Sequence, residues 1–207
     1  MGPRDKVLIL NAGGLRSLVS LAVVAAEARS EPVLLTLHDQ RPAVGRRVRH
    51  ALEQAKHYQV AQLIELPLSL SARPTPHREL LSPPPPSPLF HPRLLLTAMA
   101  VARSLEIERL VWPAQVNHAF EPMARIAEQV ELALQLATSE GHPPQLQTPL
   151  LDLNDAQVVE LGHQAQAPWK LAWCCLLEEP VSCGGCQGCR RRADAFAAAG
   201  IPDPGAA

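Results

Sequence analysis

Val7-Leu8-Ile9-Leu10-Asn11-Ala12-Gly13-Gly14-Leu15-Arg16-Ser17 is the stretch that decides the fold of this chain. Four consecutive apolar residues read as a strand buried on both faces, the pattern of a parallel sheet. The Asn-Ala-Gly-Gly break then gives way to Leu15, Leu18, Val19, Ala22, Val23 and Ala26 at helical spacing. Strand, tight turn and helix in that order make the first unit of an α/β fold.

The same alternation continues. Pro32 is expected to end the first crossover, with Val33–Leu37 as a second buried strand, a helix over Ala43–Tyr58 and a third strand over Ala61–Leu66. Arg93–Leu105 reads as a helix and Arg109–Trp112 as a fourth strand. Phe120, Met123, Ala127, Val130, Leu134 and Ala137 form a core-facing helical stripe. Gln145–Leu151 is expected to hold a short strand. Asn154 is placed to cap a helix running to about Gly162, with Asp155 suited to its dipole. The expected fold is a Rossmann-like parallel sheet flanked by helices.

Pro67–Pro92 interrupts the alternation and holds nine of the 21 prolines. Its Ser82-Pro83-Pro84-Pro85-Pro86-Ser87-Pro88 run favours extended polyproline geometry, as a solvated connection or a loop that closes over a site.

Composition narrows the function classes. In 207 residues, 47% are apolar and 19% charged, which predicts a packed globular chain. Nineteen basic and 20 acidic residues give a net charge of −1, so no overall field draws the chain to nucleic acid or to a membrane surface. Aromatic content of 3% is too low for base-stacking platforms. No apolar run approaches the roughly 18 residues of a membrane span. Arg4, Asp5 and Lys6 precede the first strand without a secretory h-region, so a cytoplasmic chain is expected.

All five cysteines lie between Cys174 and Cys189, clustered as for a metal rather than scattered as for disulfides. Cys183-x2-Cys186-x2-Cys189 lets one tight turn aim three thiolates at a single ion, and Gly184, Gly185 and Gly188 clear that turn. A fourth thiolate from the Cys174-Cys175 pair would complete the closed tetrahedral site of a structural zinc. Reduced packed cysteines and an iron–sulfur cluster are the alternatives. Arg190, Arg191 and Arg192 then open a helix through Ala193, Ala195, Phe196 and Ala199, as a solvated face or an anion contact.

The turn Ala12-Gly13-Gly14-Leu15-Arg16-Ser17 suits a phosphate, because backbone N–H groups and a helix N-terminus meet there. It matches neither the P-loop nor the dinucleotide fingerprint, and a plain βα turn is the simpler alternative. Its position at the carboxyl edge of a parallel sheet favours the ligand reading.

Both signatures together resemble the 7-cyano-7-deazaguanine synthase family, within the PP-loop (N-type ATP pyrophosphatase) superfamily of adenine nucleotide alpha hydrolase-like folds. Cys183-Gly-Gly-Cys186-Gln-Gly-Cys189-Arg-Arg-Arg192-Ala-Asp-Ala195-Phe196 is similar to the family's C-G-x-C-x-x-C-x-x-R-x-x-A-F. Gly200–Pro204 resembles its trailing Asp-Pro segment, and Thr148-Pro149-Leu150 its Thr-Pro-Leu. The family places a bulky residue two before a ligand cysteine. Trp173-Cys174-Cys175 therefore nominates Cys175 beside Cys183, Cys186 and Cys189 as zinc ligands, leaving Cys174 spare.

The resemblance implies an ATP-dependent ligase of queuosine biosynthesis. Such an enzyme takes 7-carboxy-7-deazaguanine, ammonia and Mg-ATP to the nitrile, on a scaffold held by structural zinc. It also implies a homodimer, ATP or a related nucleotide as ligand, and a deazaguanine-type substrate. Carried over by motif, Ala12, Gly13, Gly14, Leu15, Arg16 and Ser17 would meet the phosphates. Arg93 would offer an anion contact, and Asp39 a polar group near adenosine. The expected division is a PP-loop-like domain over 1–172, its proline-rich loop at 67–92, and a zinc-binding subdomain over 173–207.

This chain departs from the family pattern at the glycine turn. The family's Ser-Gly-Gly-x-Asp-Ser stands here as Ala12-Gly13-Gly14-Leu15-Arg16-Ser17, which places a cation where the family has a carboxylate. Phe90-His91-Pro92-Arg93-Leu94, His38-Asp39-Gln40-Arg41 and Val116–Pro122 also differ from the corresponding family signatures. Two readings therefore stand side by side, an ATP-using ligase and a catalytically inactive paralogue that binds a nucleotide, deazapurine or partner protein. A zinc-stabilised RNA-binding module is a third, opposed by charge and aromatic content. His38, His91 and His118 read as loop or helix-end residues rather than as catalytic bases.

Overall fold

The computed structural model describes residues 4–38, 44–68, 90–116, 120–138 and 142–205. Its elements in chain order are β1 (Asp5–Leu10), α1 (Leu15–Ala26), β2 (Ser30–His38), α2 (Val44–His57), β3 (Gln62–Pro67) and α3 (Phe90–Ser104). They continue with β4 (Arg109–Val111), α4 (Phe120–Thr138), β5 (Gln145–Gln147), α5 (Asp155–Gln164), a 3-10 turn (Trp169–Leu171) and α6 (Gln187–Ala199). The five strands are parallel, in the order β3-β2-β1-β4-β5. This is the α/β architecture that the alternation of patterns predicts.

β1 is buried on both faces, and its period-two alternation divides the core. Leu8 and Leu10 join Leu95, Met99, Leu110 and Ala133 beneath α3 and α4. Val7 and Ile9 join Leu21, Val24, Leu34 and Ala55 beneath α1 and α2. A further cluster binds α5, the 3-10 turn and α6 onto α1 through Leu18, Val158, Trp169 and Phe196. Trp169 meets Phe196 edge to face at 5.0 Å.

Several expected boundaries shift for identifiable reasons. Pro32 lies inside β2, opposite Val7, instead of ending the crossover. Asn11 N–H donates to Leu35 O at 2.8 Å, so odd-numbered residues of β2 face β1 and the even-numbered Pro32 faces β3. Pairing with β3 starts only at Val33, so the N–H that proline lacks has no ladder bond to make. Pro67 closes β3, and Pro92 sits in the first turn of α3, where backbone N–H groups have no intrahelical acceptor anyway. The remainder of the proline-rich segment, 69–89, lies outside the described residues. On α4 the core face runs through Ile126, Val130, Ala133, Leu134 and Ala137, while Ala127 is exposed. Asn154 caps α5 as expected, accepting from Gln157 N at 2.9 Å while Gln157 returns the bond.

Four helices end in one motif. Gln59, Glu106, Gln166 and Gly200 adopt left-handed φ of 52–64°. The next residue (Val60, Ile107, Ala167 or Ile201) donates back to the carbonyl five residues earlier. Only Gly200 adopts this conformation without a Cβ penalty.

Candidate functional site

The chain runs outward from β1 to β2 and β3, then crosses back to β4 on the other side of β1. A crevice therefore opens at the carboxyl ends of β1 and β4, where open α/β sheets bind ligands. It holds a cavity of about 560 Å³. Leu10, Asn11 and Ala12 wall it after β1, Trp112, Pro113 and Ala114 after β4, and Asp155, Trp173, Cys174 and Arg191 from the C-terminal half.

The glycine turn is built by local hydrogen bonds. Gly13 N–H donates to Asn11 Oδ1 at 2.7 Å, and Ala12 N–H to Ser17 Oγ at 3.0 Å. Those two donors are thus used within the turn. The N–H groups that face a ligand are those of the first turn of α1, from Leu15 onward. Gly13 is required here: its φ is +68°, and a Cβ would stand 2.1 Å from Arg47 O. Asn11 Nδ2 donates to Gln54 Oε1, whose amide donates to Leu171 O, both at 2.8 Å. Trp173 N–H donates to Gly13 O at 2.9 Å, so the glycine turn and the approach to the cysteines are one hydrogen-bonded unit.

Of the residues expected at the nucleotide, Ala12, Gly14, Leu15, Arg16 and Ser17 line the cavity. Gly13 is buried behind them. Arg93 is exposed on α3 and is not among the lining residues, and Asp39 lies outside the described residues. Sequence patterning passed over Arg47, Gln115, Asp155, Trp173 and Arg191 as cavity residues. The basic run at 190–192 was the available signal for Arg191.

Three arginines of this region differ in their partners. Arg192 is bound to Asp203 by two hydrogen bonds (2.7 and 2.8 Å) and donates to Ala172 O and Trp169 O; both partners of the ion pair are 9% exposed. Arg191 holds Asp155 by two bonds of 2.7 Å at a more open position. Burial alone would raise both carboxyls, but the arginine hydrogen bonds and charge prevail and hold each below its ordinary value. Arg16 makes no hydrogen bond or ion pair with any described residue. Arg16 is exposed to the open cavity, and desolvation by the walls, then the charge of Arg191, lowers its pKa.

His91 also lines the cavity. Its Nδ1 lies 2.7 Å from Gln129 Oε1, which places the proton there. Burial and the charge of Arg16 lower its pKa, against the opposing hydrogen bond to Gln129. His38 lines the rim and pairs with Glu65 at 3.1 Å. His118 lies outside the described residues.

Cys175, Cys183, Cys186 and Cys189 bring their sulfurs within 4.8 Å of one another and form a site able to hold a metal. Cys175 Sγ stands 3.6 Å from Cys183 Sγ and 3.9 Å from Cys186 Sγ, far beyond the roughly 2.05 Å of a disulfide. The backbone N–H groups of Leu176, Leu177, Cys186 and Cys189 point at these sulfurs at 3.4–3.5 Å and favour thiolates. Against a burial penalty, such bonds bring the Cys186 thiol down to about 7. Burial and the neighbouring sulfurs push Cys189 up. Four sulfurs this close cannot all ionise without a cation among them, so the donor set fits a bound metal. Cys174 faces the cavity instead.

Fold and site thus define a parallel α/β protein with a ligand cavity at its topological switch point and a cysteine metal centre beside it. The chain belongs to the queuosine biosynthesis protein QueC family, whose model matches residues 94–200. A 7-cyano-7-deazaguanine synthase of Anaeromyxobacter sp. (strain Fw109-5) is 30% identical over 228 residues, covering 98% of this chain and 96% of that protein. The enzyme of the same name from Nostoc punctiforme is 40% identical over 65 residues, 31% of this chain; the match spans only 29% of that relative's length. Among solved structures, NMN synthetase from Francisella tularensis covers 97% of this chain and 79% of its own at a TM-score of 0.54 and 14% identity. The U34-tRNA thiolase NcsA from Methanococcus maripaludis, solved with its [4Fe-4S] cluster, covers 81% and 59% at 0.53 and 10%. These two similarities establish the fold alone. No described helix is long and apolar enough to cross a membrane.

Proposed function

We propose that this chain is an ATP-dependent ligase that converts 7-carboxy-7-deazaguanine and ammonia to 7-cyano-7-deazaguanine. The observation that carries the reading is the cavity at the β1–β4 switch point, walled by Ala12 and Gly14–Ser17 and open to a ligand. Its volume lies within the range of small-molecule sites. The substrate carboxylate would attack the α-phosphorus of ATP, releasing pyrophosphate, and ammonia would then displace AMP from the acyl adenylate to leave the primary amide. The amide oxygen would attack the α-phosphorus of a second ATP, again releasing pyrophosphate, and loss of AMP and of the two amide N–H protons would give the nitrile. The near-full-length relative named for this activity supports the ligase over an inactive paralogue.

For the metal we propose zinc. Four sulfurs around one ion at about 2.3 Å stand roughly 3.8 Å apart, close to the two distances found here. The four cysteines of a [4Fe-4S] cluster each bind a different iron and are spread more widely. When bound, zinc would hold the loop and the start of α6 without an open coordination position for substrate.

Magnesium is a different matter. Among the described residues lining the cavity, Asp155 supplies the one carboxylate, and both of its oxygens are bound to Arg191. That donor set does not fit a hard divalent cation, which takes oxygen ligands. No step is assigned to it.

Purified protein incubated with ATP, ammonia and 7-carboxy-7-deazaguanine should yield the nitrile and AMP by mass spectrometry. A folded, metal-loaded protein that yields neither would refute the ligase reading.

A further inference from the structure

We infer that this cavity binds the phosphate chain of its nucleotide through Arg16, supported by Arg47 and Arg191, and without a divalent cation. The inference rests on the nucleotide reading above and specifies how the ligand's charge is met.

Arg16 stands in the first turn of α1, a helix whose N-cap Gly14 makes no side-chain cap bond and whose first turn holds no acidic residue. A cation at that end opposes the helix dipole. Arg16 also feels the charges of Arg191 and Arg47, both lining the same cavity. Asp155 and then Cys174 are the groups that compensate it, and Asp155 is already held by Arg191. Its neighbour in the fold, Arg192, shows what a satisfied arginine looks like here, with a carboxylate and two carbonyls around it. Arg16 has none of these among the described residues. Like charge and helix dipole both penalise it in the empty cavity, and one polyanion relieves both at once. A guanidinium fork matches phosphate oxygens bidentately, and the first-turn N–H groups of α1 lie beside it. Arg16, Arg47 and Arg191 against the Asp155 carboxylate leave two net positive charges facing the anion that would sit there.

Calorimetric titration of the full-length, metal-loaded protein tests this with ATP, inorganic pyrophosphate and adenosine as probes. Buffers are freed of Mg²⁺ by resin rather than by a chelator, so that the cysteine quartet keeps its ion. ATP affinity should agree within about threefold with and without millimolar Mg²⁺. Arg16→Gln should weaken ATP and pyrophosphate at least about tenfold without Mg²⁺, while leaving adenosine unchanged. The same variant should melt no lower than the parent, because it breaks no bond and removes a repelled charge. Arg16→Asp should bind ATP only when Mg²⁺ is supplied. ATP binding by the parent that requires Mg²⁺ and is indifferent to Arg16→Gln would overturn the inference and leave the nucleotide reading intact. Failure of ATP to bind under either condition would sink both.

Discussion

The cysteine quartet and the glycine-turn cavity sit side by side, and they are finished to different degrees. Around Cys175, Cys183, Cys186 and Cys189, backbone N–H groups serve the sulfurs, and the adjacent Arg192–Asp203 pair closes on itself. In the cavity, Arg16 is left without a described partner, and about 560 Å³ is open. A region whose groups satisfy one another stabilises. A region with an unneutralised cation around an open volume waits for a ligand.

The largest effect that could break this comparison is at the metal. Cys186→Ser should abolish bound metal, about one equivalent in the parent, and leave the C-terminal region open to proteolysis, because metal binding is folding free energy in such sites. Metal content and limited proteolysis measure it. A fully protected C-terminus in the metal-free variant would break the contrast.

Next come two arginine–carboxylate pairs of similar geometry and unequal burial. Asp203→Ala leaves Arg192 buried and uncompensated, and should lower stability by about 3–5 kcal/mol in urea unfolding. Asp155→Asn disturbs a pair 29% and 45% exposed, and should cost no more than about 1 kcal/mol. Equal losses would show that burial does not separate them. Both carboxyls are held below their ordinary value, so their contribution is complete above about pH 4 and is lost as pH falls through the depressed folded values. A shallow unfolding-midpoint profile below pH 4 in Asp203→Ala, against a steep one in the parent, would bear this out.

The smallest effect lies away from both regions. Gln166 caps α5 in a left-handed conformation at φ 53°, and Gln166→Gly should raise stability by about 0.5–1 kcal/mol.

How much of this was legible in sequence follows from the range of the forces. Val7–Leu10, the helical stripes and the Asn154 cap are local patterns, and each forms where its pattern lies. The cysteine spacing exposed the metal site because three ligands fall within seven residues, while the fourth needed the family resemblance. Pro32 misled because its tolerance depends on where β3 begins, 30 residues later in the chain. Ala127 misled because a three-or-four spacing admits two neighbouring faces of a helix. Arg191, Asp155 and Trp173 stayed hidden as cavity residues because only the packing of α5 and α6 onto α1 brings them to the β1 turn. The left-handed helix ends were marked by the apolar residues Val60, Ile107, Ala167 and Ile201, a signal not used.

Exchange of labelled pyrophosphate into ATP, driven by 7-carboxy-7-deazaguanine, tests most directly whether the open region is the chemical one. The account predicts exchange that depends on the carboxylate, persists in Asp155→Asn and falls in Arg16→Gln. ATP bound at the cavity with no exchange at any carboxylate concentration, in protein retaining its metal, would contradict it.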